Sequence, residues 1–140
     1  RFGIVPKVAL VSHSSFGSHD TPTAKKMRKA TKLLRQAAPD LEADGEMQGD
    51  AAISEMLRER AMPNSTLKGE ANLLVFPNLD SANITLGVAK TMLGALHVGP
   101  ILLGAKMPAH ILSPSVTSRG IVNMATLAVV EASAASTLEK

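Results

Sequence analysis

The sequence predicts an α/β fold in which a mainly parallel sheet lies between two layers of helices, a three-layer α/β/α arrangement. Short apolar, β-branched runs such as Lys7–Ser12 and Ala71–Phe76 alternate with longer segments that have helical periodicity. Apart from Asn72, the second run is a continuous apolar stretch, which is typical of a strand covered on both faces. With 140 residues, 45% of them hydrophobic, the chain is long enough for one domain with a substantial core.

The first strand, Lys7–Ser12, leads into a Ser/Gly-rich loop and then into a helix that ends near Ala38. Asp20 or Thr21 is the expected N-cap of this helix, because Pro22 follows in its first turn. Strands and helices then continue to alternate. The expected elements are a short strand at Leu41–Asp44, a helix at Asp50–Arg60, a strand at Ala71–Phe76, a helix at Ser81–Leu96, a strand at Pro100–Leu103 and a final helix at Thr117–Ser133.

The composition excludes several classes of function. A chain without cysteine has neither disulfides nor thiolate metal ligands, which fits a cytoplasmic protein. His13, His19, His97 and His110 lack the short His spacings of metal sites, so we expect no metal. An aromatic content of 2% offers few stacking surfaces for single-stranded nucleic acid, and no apolar run is long enough to span a membrane. We therefore expect neither a nucleic acid nor a membrane as a partner.

Most of the basic excess lies on one predicted helix, in a chain whose net charge is +3. At 100° per residue these cations cover one half of the helix, opposite the apolar half. A solvated face is the simpler interpretation, and a face that binds an anion or a partner is the alternative. The cations are Lys25, Lys26, Arg28, Lys29, Lys32 and Arg35.

Three loops are predicted at the carboxyl edge of the sheet, where open α/β folds bind their ligands. Hydroxyls and a glycine suit the first loop to phosphate oxygens, although a simple Ser-rich turn explains the same residues. Asp80 in the second loop is also a candidate N-cap. The candidate ligand-binding residues are Ser12, Ser14, Ser15, Gly17 and Ser18 in the first loop, Asn78, Asp80 and Asn83 around the second, and Ser113, Ser115 and Arg119 near the third.

Asp44, Glu46 and Asp50 form a dense acidic cluster. Clustered carboxylates can perform acid/base chemistry or bind a divalent cation. These three lie across a glycine-rich turn, however, where Asp50 can be an N-cap and Asp44 a turn residue. We favour the structural role.

The order and spacing of several blocks resemble the phosphate acetyl/butyryltransferase family. Those blocks include Ser12-x-Ser14-x-x-Gly17-Ser18, Asp44-Gly45-Glu46-x-Gln48-x-Asp50-Ala51-Ala52 and Gly99-Pro100-Ile101-Leu102-x-Gly104. The resemblance favours the ligand-binding interpretation of the first loop over that of a simple Ser-rich turn. It also implies a fold similar to isocitrate and isopropylmalate dehydrogenases, with residues 1–140 as the C-terminal half-domain of a longer protein.

The residues that the resemblance assigns to catalysis are replaced in this chain. The family's catalytic-segment Ser is present as Ser113, but its substrate-binding Arg falls on Pro114 and its functional Asp on Gly120. Acyl transfer from a phosphate needs a cation to offset transition-state charge and help in forming the CoA thiolate. Arg119 adjoins Gly120 but points about 100° away on a helix. We therefore expect no catalytic residue in this chain.

Three further blocks, Leu67–Leu74, Pro77–Ile84 and Ser113–Met124, resemble the C-terminal region of large bacterial NADP-dependent malic enzymes. The resemblance implies malic enzyme and NADP-binding domains in the same polypeptide, with NADP and a divalent Mg or Mn ion as cofactors. It also implies that acetyl-CoA binds this domain as an allosteric inhibitor of malate decarboxylation. An active phosphate acetyltransferase fragment and a ligand-free dimerisation module are the two alternatives.

A homodimer or higher homo-oligomer is the expected assembly, because the resemblance implies dimers through this half of the domain. The final predicted helix carries a stripe of small and medium apolar residues that suits close helix packing. Those residues are Val122, Ala125, Val129 and Ala132.

Overall fold

A computed structural model describes residues 3–94, 97–114 and 116–138 of the chain. The chain divides into two compact units, Arg1–Val88 and Ala89–Lys140, which are described separately below. The helices within the described residues are α1 (Pro22–Ala37), α2 (Gly49–Ile53), α3 (Glu55–Ala61), α4 (Leu79–Leu93) and α5 (Ser118–Leu138). None of these helices has the length and apolarity needed to cross a membrane.

A three-stranded parallel sheet forms the centre of the first unit. Its strands are β1 (Lys7–Val11), β2 (Glu42–Met47) and β3 (Leu73–Val75), in the order β2-β1-β3. Both neighbours of β1 run parallel to it, so all three strands end at the same edge. The structure confirms the predicted α/β fold with a parallel sheet.

Alternate residues of β1 pack into two separate cores. Val8 and Leu10 pack with Met27 of α1 on one face of the sheet. Ala9 and Val11 pack with Ala52 of α2 on the other face. Because successive side chains of a strand point to opposite faces, this division places helices on both sides of the sheet. The first unit therefore has the expected α/β/α layers.

Thr21 is the N-cap of α1, since its hydroxyl oxygen accepts a hydrogen bond from the Ala24 amide at 3.3 Å. The next predicted helix is interrupted. Ser54 adopts an extended conformation, ends α2 and caps α3, accepting from the Leu57 amide at 3.4 Å. Ser and Asn side chains compete in this way for backbone groups that a continuous helix would use.

Arg58 of α3 is fully buried and binds the loop before β3. Its guanidinium donates to the carbonyls of Ala51, Leu67 and Gly69 at 2.9, 3.1 and 2.6 Å. Glu55 lies 3.9 Å from it. Three backbone acceptors thus bind the two terminal nitrogens of the guanidinium, whereas its buried Nε has no hydrogen-bond partner within the described residues.

In the second unit, the predicted strand at Pro100–Leu103 is wrong. Residues 97–103 are neither strand nor helix. Pro100 has no N–H for a sheet ladder, and the Leu102 amide donates to the ring of His110 at 3.4 Å instead of to a neighbouring strand. The final helix, α5, leaves its apolar residues Val122 and Val129 exposed.

Candidate functional site

The loop after β1, residues 12–19, lies at the edge where the parallel strands end. Its six consecutive backbone N–H groups from Ser14 to His19 all donate to protein acceptors. Phe16 and Gly17, at positive φ, donate to the carbonyl and the carboxylate of Glu46 at 2.7 and 2.9 Å. A phosphate-binding loop presents its amides to the ligand. Here the protein's own acceptors occupy them.

Glu46, on β2, lies beneath the loop and has no solvent exposure. Its Oε1 accepts from the Ser14 hydroxyl and the Gly17 amide, both at 2.9 Å, and its Oε2 lies 3.2 Å from Arg28 Nε. Burial alone would raise the pKa of Glu46, but the hydrogen bonds from Gly17, Ser14 and Arg28 lower it below its ordinary value. The loop therefore closes around a fixed negative charge.

Arg28 connects this carboxylate to the start of α1. Its NH2 donates to the His19 carbonyl at 2.7 Å and its NH1 to Asp20 at 3.4 Å. The pKa of the Arg28 guanidinium is raised, chiefly by its hydrogen bond to Glu46. Lys25 pairs with Asp20 at 2.9 Å, and this contact is the largest cause of the lowered pKa of the Asp20 carboxyl. These cations of the basic helix are thus already paired.

The five candidate residues of the loop differ in access. Ser14 is fully buried, and its hydroxyl donates to Glu46 rather than facing solvent. Ser12 and Ser15 are half-buried, whereas Gly17 and Ser18 are exposed. The Ser18 hydroxyl accepts from the Ser15 amide at 2.9 Å. Hydroxyls of Ser12, Ser15 and Ser18 are therefore the groups that a ligand can reach.

A cavity of about 490 Å³ opens beside Ser12 at the ends of β1 and β3. Its apolar lining comes from Val11, Ile53, Leu74, Phe76 and Pro77. Among the described residues that line it, none is a lysine, arginine, aspartate or glutamate. Its polar lining consists of Ser12, His13, Thr23, Asn78, Ser81 and Thr85, with the backbone of Gly49.

Asn78, rather than Asp80, caps α4. Its Oδ1 accepts from both the amide and the hydroxyl of Ser81 at 2.9 Å. Asn78 also lines the cavity, while Asp80 and Asn83 are exposed and do not line it. The acidic residue expected to cap the helix lies in its first turn instead, where a carboxylate interacts favourably with the helix dipole.

Asp44 of the predicted acidic cluster has a structural role. It is buried and accepts from Arg35, the Ser65 hydroxyl at 2.7 Å and the Thr66 amide at 2.9 Å. Asp50 is not the N-cap of α2, a position that Gln48 occupies. In the described part of the chain, no three His, Asp or Glu side chains are grouped so as to bind a metal ion.

A second cavity, of about 250 Å³, lies within the second unit. Ser113 and Gly120 line it, whereas Pro114 and Arg119 do not. Pro114 and Arg119 are exposed, and Ser115 lies outside the described residues. Sequence reasoning missed other lining side chains, for which spacing gave no signal. They are Lys90, His97, Thr117 and Asn123.

The family model of the phosphate acetyl/butaryl transferases matches residues 1–129. The chain belongs to this family. Two malic enzymes are similar to it: an NAD-dependent one from Rhizobium meliloti, 74% identical over 95% of this chain, and an NADP-dependent one from Escherichia coli, 52% identical over 94%. A phosphate acetyltransferase from Paracoccus denitrificans is 43% identical over 90% of the chain and 40% of its own length.

Two solved structures have the same fold. The EutD phosphotransacetylase from Staphylococcus aureus matches 94% of this chain and 41% of its own, at 38% identity and a TM-score of 0.84. A phosphotransacetylase from Streptococcus pyogenes matches 92% of this chain and 39% of its own, at 36% identity and a TM-score of 0.86. By contrast, the chain spans only 17% and 18% of the two malic enzymes, in which it resembles the phosphate-acetyltransferase-like C-terminal domain.

Proposed function

We propose that this chain is a non-catalytic regulatory and oligomerisation domain of a malic enzyme, which binds acetyl-CoA and thereby inhibits malate decarboxylation elsewhere in the same polypeptide. The observation behind the proposal is the replacement of the family's Arg and Asp by Pro114 and Gly120. A proline provides no cation for an acyl phosphate, and a glycine provides no carboxylate near the CoA thiol. Identities of 74% and 52% to malic enzymes, against 43% to a phosphate acetyltransferase, support the same assignment.

The parent polypeptide is proposed to oxidise and decarboxylate malate to pyruvate in the cytoplasm, with a nicotinamide coenzyme and Mg or Mn. NADP is our expectation for the coenzyme. The relative with 74% identity is named for NAD, so both coenzymes belong in the assay.

Homo-oligomers are proposed to form through α5. Val122 and Val129 are 63% and 65% exposed there, although both are apolar. Burying such side chains at an interface is favourable, at about 25 cal/mol per Å² of apolar surface. Light scattering of the chain and of a Val129→Lys variant tests this. The unaltered chain should scatter as a dimer or larger and the variant as a smaller species. A monomeric unaltered chain at high concentration contradicts the proposal.

The regulatory proposal is tested by measuring malate turnover of the intact parent protein against acetyl-CoA concentration. Allosteric coupling is typically about 1–3 kcal/mol, which is a change of roughly 5- to 150-fold in affinity between two sites. Acetyl-CoA should therefore inhibit, and malate should weaken acetyl-CoA binding by the same factor as acetyl-CoA weakens malate binding. Turnover that is unchanged at saturating acetyl-CoA contradicts the proposal.

An active phosphate acetyltransferase is the second candidate, because Lys90 lines the same cavity as Ser113. In that case Lys90 replaces the missing Arg as the cation for acetyl phosphate. A Lys90→Gln variant distinguishes the candidates: it should abolish acetyl-CoA synthesis if the domain is an enzyme. Lys106→Gln is the matched control, since Lys106 is exposed and does not line the cavity.

A further inference from the structure

The Glu46 carboxylate gives the loop after β1 a charge opposite to the one a phosphate site needs. It is fully buried and accepts hydrogen bonds from Ser14 and Gly17, the groups that would otherwise point at an anion. Arg28 pairs with this carboxylate, and the backbone amides of the loop from Ser14 to His19 already donate to protein acceptors, so none of them is directed at an added anion. The loop is therefore unsuited to the phosphates of a nucleotide.

Among the described residues that line the adjoining cavity of about 490 Å³, none is a lysine, arginine, aspartate or glutamate. Leu74 and Phe76 are among its apolar lining residues, and Thr23, Ser81 and Thr85 are among its polar ones. Its volume lies in the range of about 300–1,000 Å³ typical of small-molecule sites. A mainly apolar lining with a few hydrogen-bonding groups matches a ligand that is itself neutral, extended and interrupted by amides.

We infer that this cavity binds the neutral acyl-pantetheine arm of acetyl-CoA, while the nucleotide phosphates lie away from the loop above Glu46. The inference rests on the proposed function for the identity of the ligand. The arm contains two amides and a thioester separated by short methylene segments. The hydroxyls of Thr85 and Ser81 donate their own protons to the Ser81 carbonyl and to Asn78, so their oxygens can accept from the amide N–H groups of the arm. The methylenes bury apolar surface against Phe76.

Calorimetric titration of the intact parent protein with three probes tests the inference: acetyl-CoA, acetyl-pantetheine and ADP. The variant Thr85→Phe fills the cavity, and Leu86→Phe is its control, because Leu86 is exposed on the same helix but does not line the cavity. Acetyl-pantetheine should bind the unaltered protein. Thr85→Phe should weaken acetyl-pantetheine and acetyl-CoA by about tenfold or more, and Leu86→Phe should change neither beyond about twofold.

ADP carries the nucleotide phosphates without the pantetheine arm. Its affinity should therefore be the same for the unaltered protein, Thr85→Phe and Leu86→Phe. The inference is overturned if acetyl-pantetheine fails to bind the unaltered protein, if it binds Thr85→Phe undiminished, or if Thr85→Phe also weakens ADP. Malate turnover measured in parallel keeps the two proposals apart. Acetyl-pantetheine binding that Thr85→Phe abolishes, with no inhibition by acetyl-CoA, contradicts the regulatory function alone. Inhibition that Thr85→Phe leaves intact contradicts the cavity alone.

Discussion

Replacing Glu46 by Gln should destabilise the chain while preserving its shape. The carboxylate accepts from Ser14, Gly17 and Arg28 at 2.9, 2.9 and 3.2 Å. Hydrogen bonds to a charged group contribute about 1.5–3 kcal/mol each, and neutral ones about 1 kcal/mol. A glutamine oxygen can keep the bonds from Ser14 and Gly17 in the weaker form. The ion pair with Arg28 is lost, but its contribution is small because that guanidinium is half-exposed.

These losses together lower the free energy of unfolding by about 2–3 kcal/mol at pH 7. Urea unfolding of the 140-residue chain measures the change, provided that the free energy of unfolding falls with urea concentration at the same slope for both proteins. Glu59→Gln is the control, since Glu59 is exposed on α3, and it should change stability by less than about 0.5 kcal/mol.

The effect should depend on pH with a defined sign. The pKa of Glu46 is lowered from 4.5 in the folded chain, so its stabilisation is complete above that value and is lost as the pH falls through the folded pKa. The difference between the unaltered chain and Glu46→Gln should therefore shrink as the pH is lowered below about 4.5. A difference that is negligible at pH 7, or constant down to acid unfolding, would refute the reasoning.

Two further substitutions test the packing around the sheet. Gly45→Ala should lower the free energy of unfolding in urea by about 3 kcal/mol or more, because φ is +151° and a Cβ would lie 2.7 Å from the Leu10 carbonyl oxygen. Gly49→Ala is the control: its Cβ would meet nothing within 4 Å, so it should be neutral or slightly stabilising. Arg58→Leu should lower the free energy of unfolding by about 3–5 kcal/mol, because three backbone carbonyls lose their donor. Arg60→Leu is the control: Arg60 is exposed, so the change should be under about 0.5 kcal/mol. Equal effects within either pair would contradict these assignments.

Hydrophobic patterning predicted strands in the first unit but placed β3 wrongly, as a strand covered on both faces. β3 lies at the edge of the sheet, and Leu73 and Val75 on one of its faces are exposed. The run that contains β1 and the apolar run that contains β3 are short, β-branched and bounded by Pro, Ser or Asn, so their pattern favours strands. Thr21 was one of two N-caps that the sequence allowed, and the structure distinguishes them. The strand expected at Pro100–Leu103 was wrong. An apolar run indicates that its residues are buried, but it does not show that a neighbouring strand is available to pair with.

The polar interior was much less predictable. Glu46 contacts Ser14 and Gly17 across 32 and 29 positions of sequence, and no local pattern encodes a contact of that range. The helical pattern around Arg58 gave no sign of its role, yet three backbone carbonyls accept from its guanidinium. The first loop was expected to present its hydroxyls and amides to a ligand. Only the fold reveals that the loop amides donate to protein acceptors, Glu46 among them, and that a largely apolar cavity adjoins Ser12.

Acetyl-CoA synthesis by the intact parent protein, supplied with acetyl phosphate and CoA, tests the central claim most directly. Formation of the thioester is followed by its ultraviolet absorbance, beside a reaction without protein. A domain with Pro114 and Gly120 at the positions of the family's Arg and Asp should form no thioester above the protein-free rate. Robust synthesis that scales with protein concentration would contradict the account and identify the domain as an enzyme.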